Sequence, residues 1–284
     1  MKILVTGYTG QLGYDVVAEL KRRNIECIGT TRQDFSLTDT EEMKFFIKNY
    51  NPDTVIHCAA YTAVDKAEDE PELCRAVNTE ATRQIAKICK DINAKMIYIS
   101  TDYVFPGDGD SFYEPEDEKA PHNVYGQSKL DGEIAVQEIL DKYFIVRISW
   151  VFGANGKNFV KTMLNLAKTH DKLTVVNDQT GSPTYTKDLA KFLCDMVETD
   201  KYGVYHATNE GTCSWYEFAC EIFKQSGIDI KVESVPSTAF PTKAKRPHNS
   251  RMSKKCLDKA GFDRLPSWQD ALNRYLKELS LNKI

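Results

Sequence analysis

Tyr125 and Lys129 stand four residues apart in a stretch whose pattern predicts a helix over 124–140. At that spacing both side chains share one helix face and can reach one cleft. A phenol beside an ammonium is suited to proton transfer. The positive charge favours phenolate and draws the phenol down from its ordinary value of about 10. Such a pair can protonate the alkoxide that forms when hydride adds to a carbonyl. YxxxK alone also describes an ordinary surface pair, so its meaning depends on what else the chain carries.

Gly7, Gly10 and Gly13 supply that context. They form a GxxGxxG directly after an apolar run at 2–6 and directly before a helical pattern over 12–23. The first glycine permits a tight turn, the second lets backbone approach a pyrophosphate, and the third lets helix pack on strand. The helix N-terminus then offers unpaired N–H groups and a positive dipole end to the phosphates. A nicotinamide dinucleotide is the cofactor this arrangement suits. The second strand ends in Gly29-Thr30-Thr31-Arg32, with no acid. Arg32 could pair with a 2′-phosphate, which leans the reading to NADPH. Asp34, the nearest acid, lies at about the usual distance from the glycines for a ribose-binding carboxylate, so NADH stays open. A third reactive hydroxyl is expected at the carboxyl end of a strand, where open α/β sheets gather their active groups. Thr101 is the first choice and Ser100 the second.

These groups need a scaffold. Strands are predicted over 2–6, 25–29, 54–58, 96–100 and 144–148, and helices over 12–23, 40–50, 70–91 and 124–140. The strands read as near-continuous apolar runs, as expected when both sheet faces are covered. The alternation predicts an α/β fold with a doubly wound parallel Rossmann-type sheet. Beyond about residue 150 the rhythm loosens into loops at 152–158, 177–184 and 235–250, with helices over 187–197, 214–225 and 268–279. The expected division is a nucleotide-binding domain at 1–150 and a mainly substrate-binding lobe at 151–284, with 203–207 returning to the main sheet. The chain has 284 residues and a net charge of −4, which argues against a nucleic-acid partner because phosphate neutralisation needs a basic face. No apolar run is long enough to cross a bilayer, and the first apolar stretch is expected to be a buried strand of a cytoplasmic protein. The eight cysteines form no CxxC pair, which argues against a zinc or dithiol site. The histidines, including His57 and His206, show no ligand spacing.

The GxxGxxG and YxxxK together resemble the extended short-chain dehydrogenase/reductase superfamily. Longer segments narrow the resemblance. Ala60–Glu68, Ser100–Phe105, Asn123–Lys129, Ser149–Phe152, Asn177–Thr184 and Arg246–Ser250 are similar to the dTDP-4-dehydrorhamnose reductase family, and together they cover essentially the whole chain. The resemblance implies NADPH- or NADH-dependent reduction of dTDP-4-dehydro-β-L-rhamnose to dTDP-β-L-rhamnose. It implies Tyr125 as proton donor with Lys129 as partner. Gly10, Gln11 and Leu12 would lie against the pyrophosphate, Asp34 and Phe35 near adenine, and Ala60, Tyr61 and Thr62 along the cofactor. Thr101, Asp102 and Trp150 would face the nucleotide-sugar. An indole at Trp150 also suits a thymine or the methyl face of a deoxysugar, and Arg246 could hold the sugar's diphosphate.

Some relatives bind magnesium at a dimer interface. Here Asp15 and Lys187 occupy the corresponding region, and a lysine opposes a cation, so no metal is expected and the protein is taken as a monomer or homodimer. Two alternatives stay open: another nucleotide-sugar reductase or epimerase, and a non-catalytic NADP-binding regulatory subunit of methionine adenosyltransferase.

Overall fold

In the first half, short aliphatic runs alternate with amphipathic stretches and form four βα steps that end in a fifth strand. The computed structural model describes residues 1–281; residues 282–284, the end of the expected C-terminal lobe, lie outside the described residues. The strands are β1 (Lys2–Thr6), β2 (Glu26–Thr30), β3 (Thr54–His57), β4 (Lys95–Thr101) and β5 (Tyr143–Ile148). The helices are α1 (Gln11–Arg22), α2 (Thr40–Tyr50), α3 (Val64–Ala67), α4 (Pro71–Arg75), α5 (Ala81–Asp91) and α6 (Val124–Ile139). The second half adds β6 (Val151–Phe152), α7 (Phe159–Leu166), β7 (Lys172–Val176), β8 (Thr180–Gly181), β9 (Thr184–Tyr185), α8 (Thr186–Val197) and β10 (Gly203–His206). It ends with β11 (Cys213–Ser214), α9 (Trp215–Ser226), β12 (Lys231–Val235), α10 (Lys255–Ala260) and α11 (Trp268–Leu281).

Six strands form one sheet in the order β10-β5-β4-β3-β1-β2, every pair parallel. The chain leaves β1 for β2 on one side and returns to β3 on the other. That reversal opens a crevice above the carboxyl ends of β1 and β3, where open α/β sheets bind ligands. Side chains alternate between the two faces along each strand. Ile3, Val5, Ile97 and Ile99 face α1 and α8, whereas Leu4, Met96 and Tyr98 face α2, α5 and α6. Both faces are thus covered, which accounts for the unbroken apolar runs.

A third core gathers Phe152, Val160, Leu173, Tyr185, Phe218, Trp268 and Tyr275 from the second half. The second half is nevertheless shared between the two bodies. β10 pairs with β5, and Leu189 and Leu193 of α8 and Leu257 of α10 join the core under the main sheet. The helix expected over 70–91 is a correction: it is α4, a π-helical turn at Ala76–Glu80, and α5. The wider turn lets Asn78 reach sideways. Its amide donates to the Ser128 hydroxyl at 2.9 Å and to the Tyr61 carbonyl at 3.1 Å, and its Oδ1 accepts from the Tyr61 N–H at 2.8 Å. π-turns of this kind are frequent at functional sites.

One buried ion pair fixes α6 to the sheet. Arg147 of β5 donates to the Glu133 carboxylate through Nη2 at 2.6 Å and Nε at 2.9 Å, and both side chains are almost fully buried. Ser100 of β4 donates to the same carboxylate at 2.5 Å. Removing one member strands the other charge in the interior, at a cost of about 3–5 kcal/mol. Arg147→Met is expected to lose about that much stability in urea unfolding, and Glu133→Leu/Arg147→Met to recover most of it. A single variant as stable as the parent would refute the ion pair as the anchor.

Candidate active site

The cleft over the β1/β3 crevice has a volume of about 1470 Å³. A single small-ligand site spans roughly 300–1,000 Å³, so this cleft has room for a cofactor and a second ligand together.

At one end lies the glycine turn. Gly7 takes a left-handed φ of +75°, and a Cβ there would stand 2.8 Å from the Ala59 backbone nitrogen. A Cβ on Gly13 would fall 2.4 Å from the Gly7 carbonyl oxygen, so α1 can approach β1 only without one. Gly10 caps α1 with no side-chain bond and no acid in the first turn, which leaves the amide end facing the cleft. This cradle fits a dinucleotide diphosphate. The second lobe closes it: Asn155 donates to the carbonyls of Thr9 at 2.9 Å and Gly10 at 3.2 Å, and Asn158 donates to Gln11 Oε1 at 3.0 Å.

At the end of β2, Arg32 and Phe35 line the cleft, Arg32 exposed and Phe35 buried. Asp34 does not line it. Its carboxylate accepts from the backbone N–H of Thr31 at 2.7 Å and the Thr31 hydroxyl at 2.9 Å, so it braces its own turn. Ala60, Tyr61 and Thr62 follow β3 along the cleft wall, and the Tyr61 hydroxyl donates to Glu70 at 2.7 Å.

Thr101, Asp102, Tyr125, Lys129, Trp150 and Arg246 all line the same cleft. The Asn123 side chain caps α6 by accepting from Gly126 N–H at 2.7 Å, which sets Tyr125 in the first turn. Burial pushes the Tyr125 phenol above its ordinary value, opposed by a hydrogen bond with Thr101. Lys129 is also buried; burial lowers it to about 7, against the pull of Glu133. Its ammonium sits 4.0 Å over the Tyr98 ring. The expectation that Lys129 draws Tyr125 towards neutrality is therefore corrected: burial is the largest influence on the phenol and raises it. The lysine is itself close to half-neutral at pH 7.

Thr101 donates to Asp102 Oδ1 at 3.0 Å, whereas Ser100, the second choice for the reactive hydroxyl, is committed to Glu133. Burial raises Asp102 to about 6, although the hydroxyls of Ser250 and Thr101 hold its carboxylate. The Ser250 bond, at 2.5 Å, draws the segment after β12 across the cleft. In that segment Arg246 Nη2 donates to Asp65 at 2.6 Å and Lys243 donates to Asp69 at 2.6 Å. Arg246 thus reaches the cleft with part of its guanidinium already engaged.

Trp150 has a left-handed φ of +51°, unusual for a bulky residue and costly by about 1–2 kcal/mol. Its ring stacks on Trp215, centroids 3.6 Å apart and planes 10° from parallel. Trp215, Asn78, Asn155 and Asn158 escaped the sequence reading. Asn78 left one signal, a polar residue inside a helical apolar pattern. Among the described residues no group of three or more His, Cys, Asp or Glu could hold a metal ion. Asp15 is buried and accepts from the Thr186 hydroxyl at 2.5 Å, while Lys187 pairs with Glu278 at 2.7 Å. Nor is any helix among them long and apolar enough to cross a membrane.

The lowered Lys129 has a consequence for stability. A lysine at about 7 when folded, against about 10.4 unfolded, binds fewer protons in the folded state between those values. Its contribution therefore improves as pH rises from about 7 to 10, and the burial penalty is fully present below that window. Lys129→Met should raise the melting temperature relative to the parent most at pH 6 and least at pH 10. A difference independent of pH would contradict the lowered value.

A family profile described as "RmlD substrate binding domain" matches residues 1–281. A dTDP-4-dehydrorhamnose reductase of Escherichia coli K12 is 40% identical, covering 98% of each chain. The crystal structure of a dTDP-4-dehydrorhamnose reductase from Clostridium acetobutylicum superposes with a TM-score of 0.96 at 42% identity, covering 99% of this chain and 100% of that one. The Bacillus anthracis dTDP-4-dehydrorhamnose reductase, solved in complex with NADP, gives 0.95 at 40% identity, covering 98% and 100%. With a profile spanning the described fold and relatives matched nearly end to end, the chain belongs to the dTDP-4-dehydrorhamnose reductase family.

Proposed function

We propose that this protein reduces the 4-keto group of dTDP-4-dehydro-β-L-rhamnose to the alcohol of dTDP-β-L-rhamnose, using NADPH or NADH. The observation that carries the reading is the convergence of Tyr125, Lys129 and Thr101 with the glycine cradle on one cleft large enough for two ligands. The bound dihydronicotinamide supplies the hydride that adds to the C4 carbonyl carbon. Gly7, Gly10, Gln11, Leu12 and Gly13 would hold the cofactor's diphosphate, Arg32 and Phe35 its adenosine end, and Ala60, Tyr61 and Thr62 the stretch between.

Tyr125 donates its proton to the oxygen that becomes the new hydroxyl, so one hydride and one proton convert ketone to alcohol. A phenol raised by burial keeps that proton at neutral pH, as an acid must. Turned from Asp102, the single Thr101 hydroxyl proton would first orient the substrate oxygen and then stabilise the phenolate left behind. Lys129, when protonated, adds a positive charge to the same end. Asp102 and Trp150 contact the sugar, and Arg246 faces its diphosphate. The protein is read as a cytoplasmic monomer or homodimer without a nucleic-acid partner, in keeping with its net charge of −4.

Two experiments test the assignment. With dTDP-4-dehydrorhamnose, Tyr125→Phe should lower kcat by about 10²-fold or more, with cofactor affinity nearly unchanged. Turnover near that of the parent would mean another group delivers the proton. Arg32→Ala should raise KM for NADPH by about tenfold and leave KM for NADH alone, as expected for loss of a charged hydrogen bond to a 2′-phosphate. Equal effects on both cofactors would remove Arg32 from that role.

A further inference from the structure

The backbone and the ring of Trp150 are held by different means. The backbone is pinned by hydrogen bonds to the segment around β9: Thr184 N–H donates to the Trp150 carbonyl at 3.1 Å, and the Thr184 hydroxyl to the Ser149 carbonyl at 2.6 Å. The ring meets two close neighbours. One is the face of Trp215. The other is Gly181, where a Cβ would come within 2.8 Å of the indole atom Cε2.

Trp215 is itself fixed. It is the first residue of α9, directly after a capping box in which the Ser214 hydroxyl accepts from Glu217 N–H at 3.1 Å and Glu217 accepts from Ser214 N–H at 2.7 Å. The Ser214 hydroxyl donates in turn to Asn177 at 2.7 Å. Behind Trp215, Phe159 packs with centroids 4.6 Å apart and itself stacks on Phe218 at 5.6 Å, which runs the aromatic column into the third core.

We propose that Trp215 is a positioning residue for the sugar subsite: from the capped start of α9 it clamps the Trp150 indole against Gly181 and so fixes the wall on which the ketosugar packs. The proposal rests on the dTDP-sugar reading above. A left-handed tryptophan released from its stack has other rotamers and backbone wells to relax into. The clamp keeps the indole in place before substrate arrives, so its loss falls on sugar binding and spares the cofactor end of the cleft.

The test is steady-state reduction of dTDP-4-dehydrorhamnose by the full chain, with NADPH affinity measured separately. Trp215→Leu is expected to raise KM for the ketosugar about tenfold, a loss on the scale of an aromatic stack, with kcat changed less than threefold and NADPH affinity unmoved. Trp215→Phe, which keeps an aromatic face, should restore KM to within about threefold of the parent. Gly181→Ala presses the same indole at its second contact without altering Trp215, and should reproduce the rise in KM. A ketosugar KM within twofold of the parent in Trp215→Leu overturns the proposal, as does a parallel loss of NADPH affinity. A rise in Trp215→Leu with none in Gly181→Ala also overturns it, since Trp215 would then act by touching substrate itself. Failure of the parent to oxidise NADPH with this ketosugar strikes the substrate assignment instead, and is read before any variant is made.

Discussion

Everything at this site hangs on how α6 is docked. That helix carries Tyr125 and Lys129, but it lies on the sheet through a carboxylate one turn further on, Glu133, which meets Arg147 of β5 and Ser100 of β4. Two fully buried opposite charges satisfy one another only at one height and rotation of the helix, whereas apolar packing alone tolerates small slides. The reach of Tyr125 towards Thr101, at the end of the same strand as Ser100, is thereby set. Gly126 and Gly132 permit the close approach: a Cβ on Gly126 would stand 2.4 Å from the Tyr103 carbonyl oxygen, and one on Gly132 2.3 Å from the Tyr98 hydroxyl. Lys129 sits between this pair and the cleft, which is why it is both desolvated and partly compensated.

The two titrating partners therefore divide their work differently from a simple phenolate–ammonium pair. The phenol, raised by burial, holds its proton at neutral pH, whereas the lowered lysine gives its proton up more readily. A carbonyl reduction needs a proton donor, and at neutral pH the phenol is in the protonation state that the forward step consumes. The positive charge matters most once the proton has left, when phenolate has to be accommodated in a poorly solvated place.

What could be read from the sequence was local in the chain. The glycine turn and the Tyr125–Lys129 spacing each lie within one βα step or one helix, and short-range periodicity carries them. The parallel sheet was legible because strands covered on both faces leave unbroken apolar runs. The parts that were not legible are long-range pairings between ordinary residues. Asn158 and Gln11 are 147 positions apart, and nothing in either local pattern points to the other. Trp215 reads as the first residue of an amphipathic helix until the fold lays it on Trp150. Asp34, whose spacing suits a cofactor contact, also accepts from Thr31 three residues away, a local bond that the spacing does not announce. The π-turn at Asn78 is hidden because a one-residue widening leaves the helical pattern on either side intact.

The Asn158 amide also donates to the Tyr275 hydroxyl at 3.0 Å, and Tyr275 lies in α11, while the same amide reaches Gln11 at the start of α1. One side chain thus ties the start of α1 to α11. During synthesis, β1, α1 and the glycine loop leave the ribosome long before their brace exists. The glycine turn gains this brace only when α11 has emerged and packed into the third core.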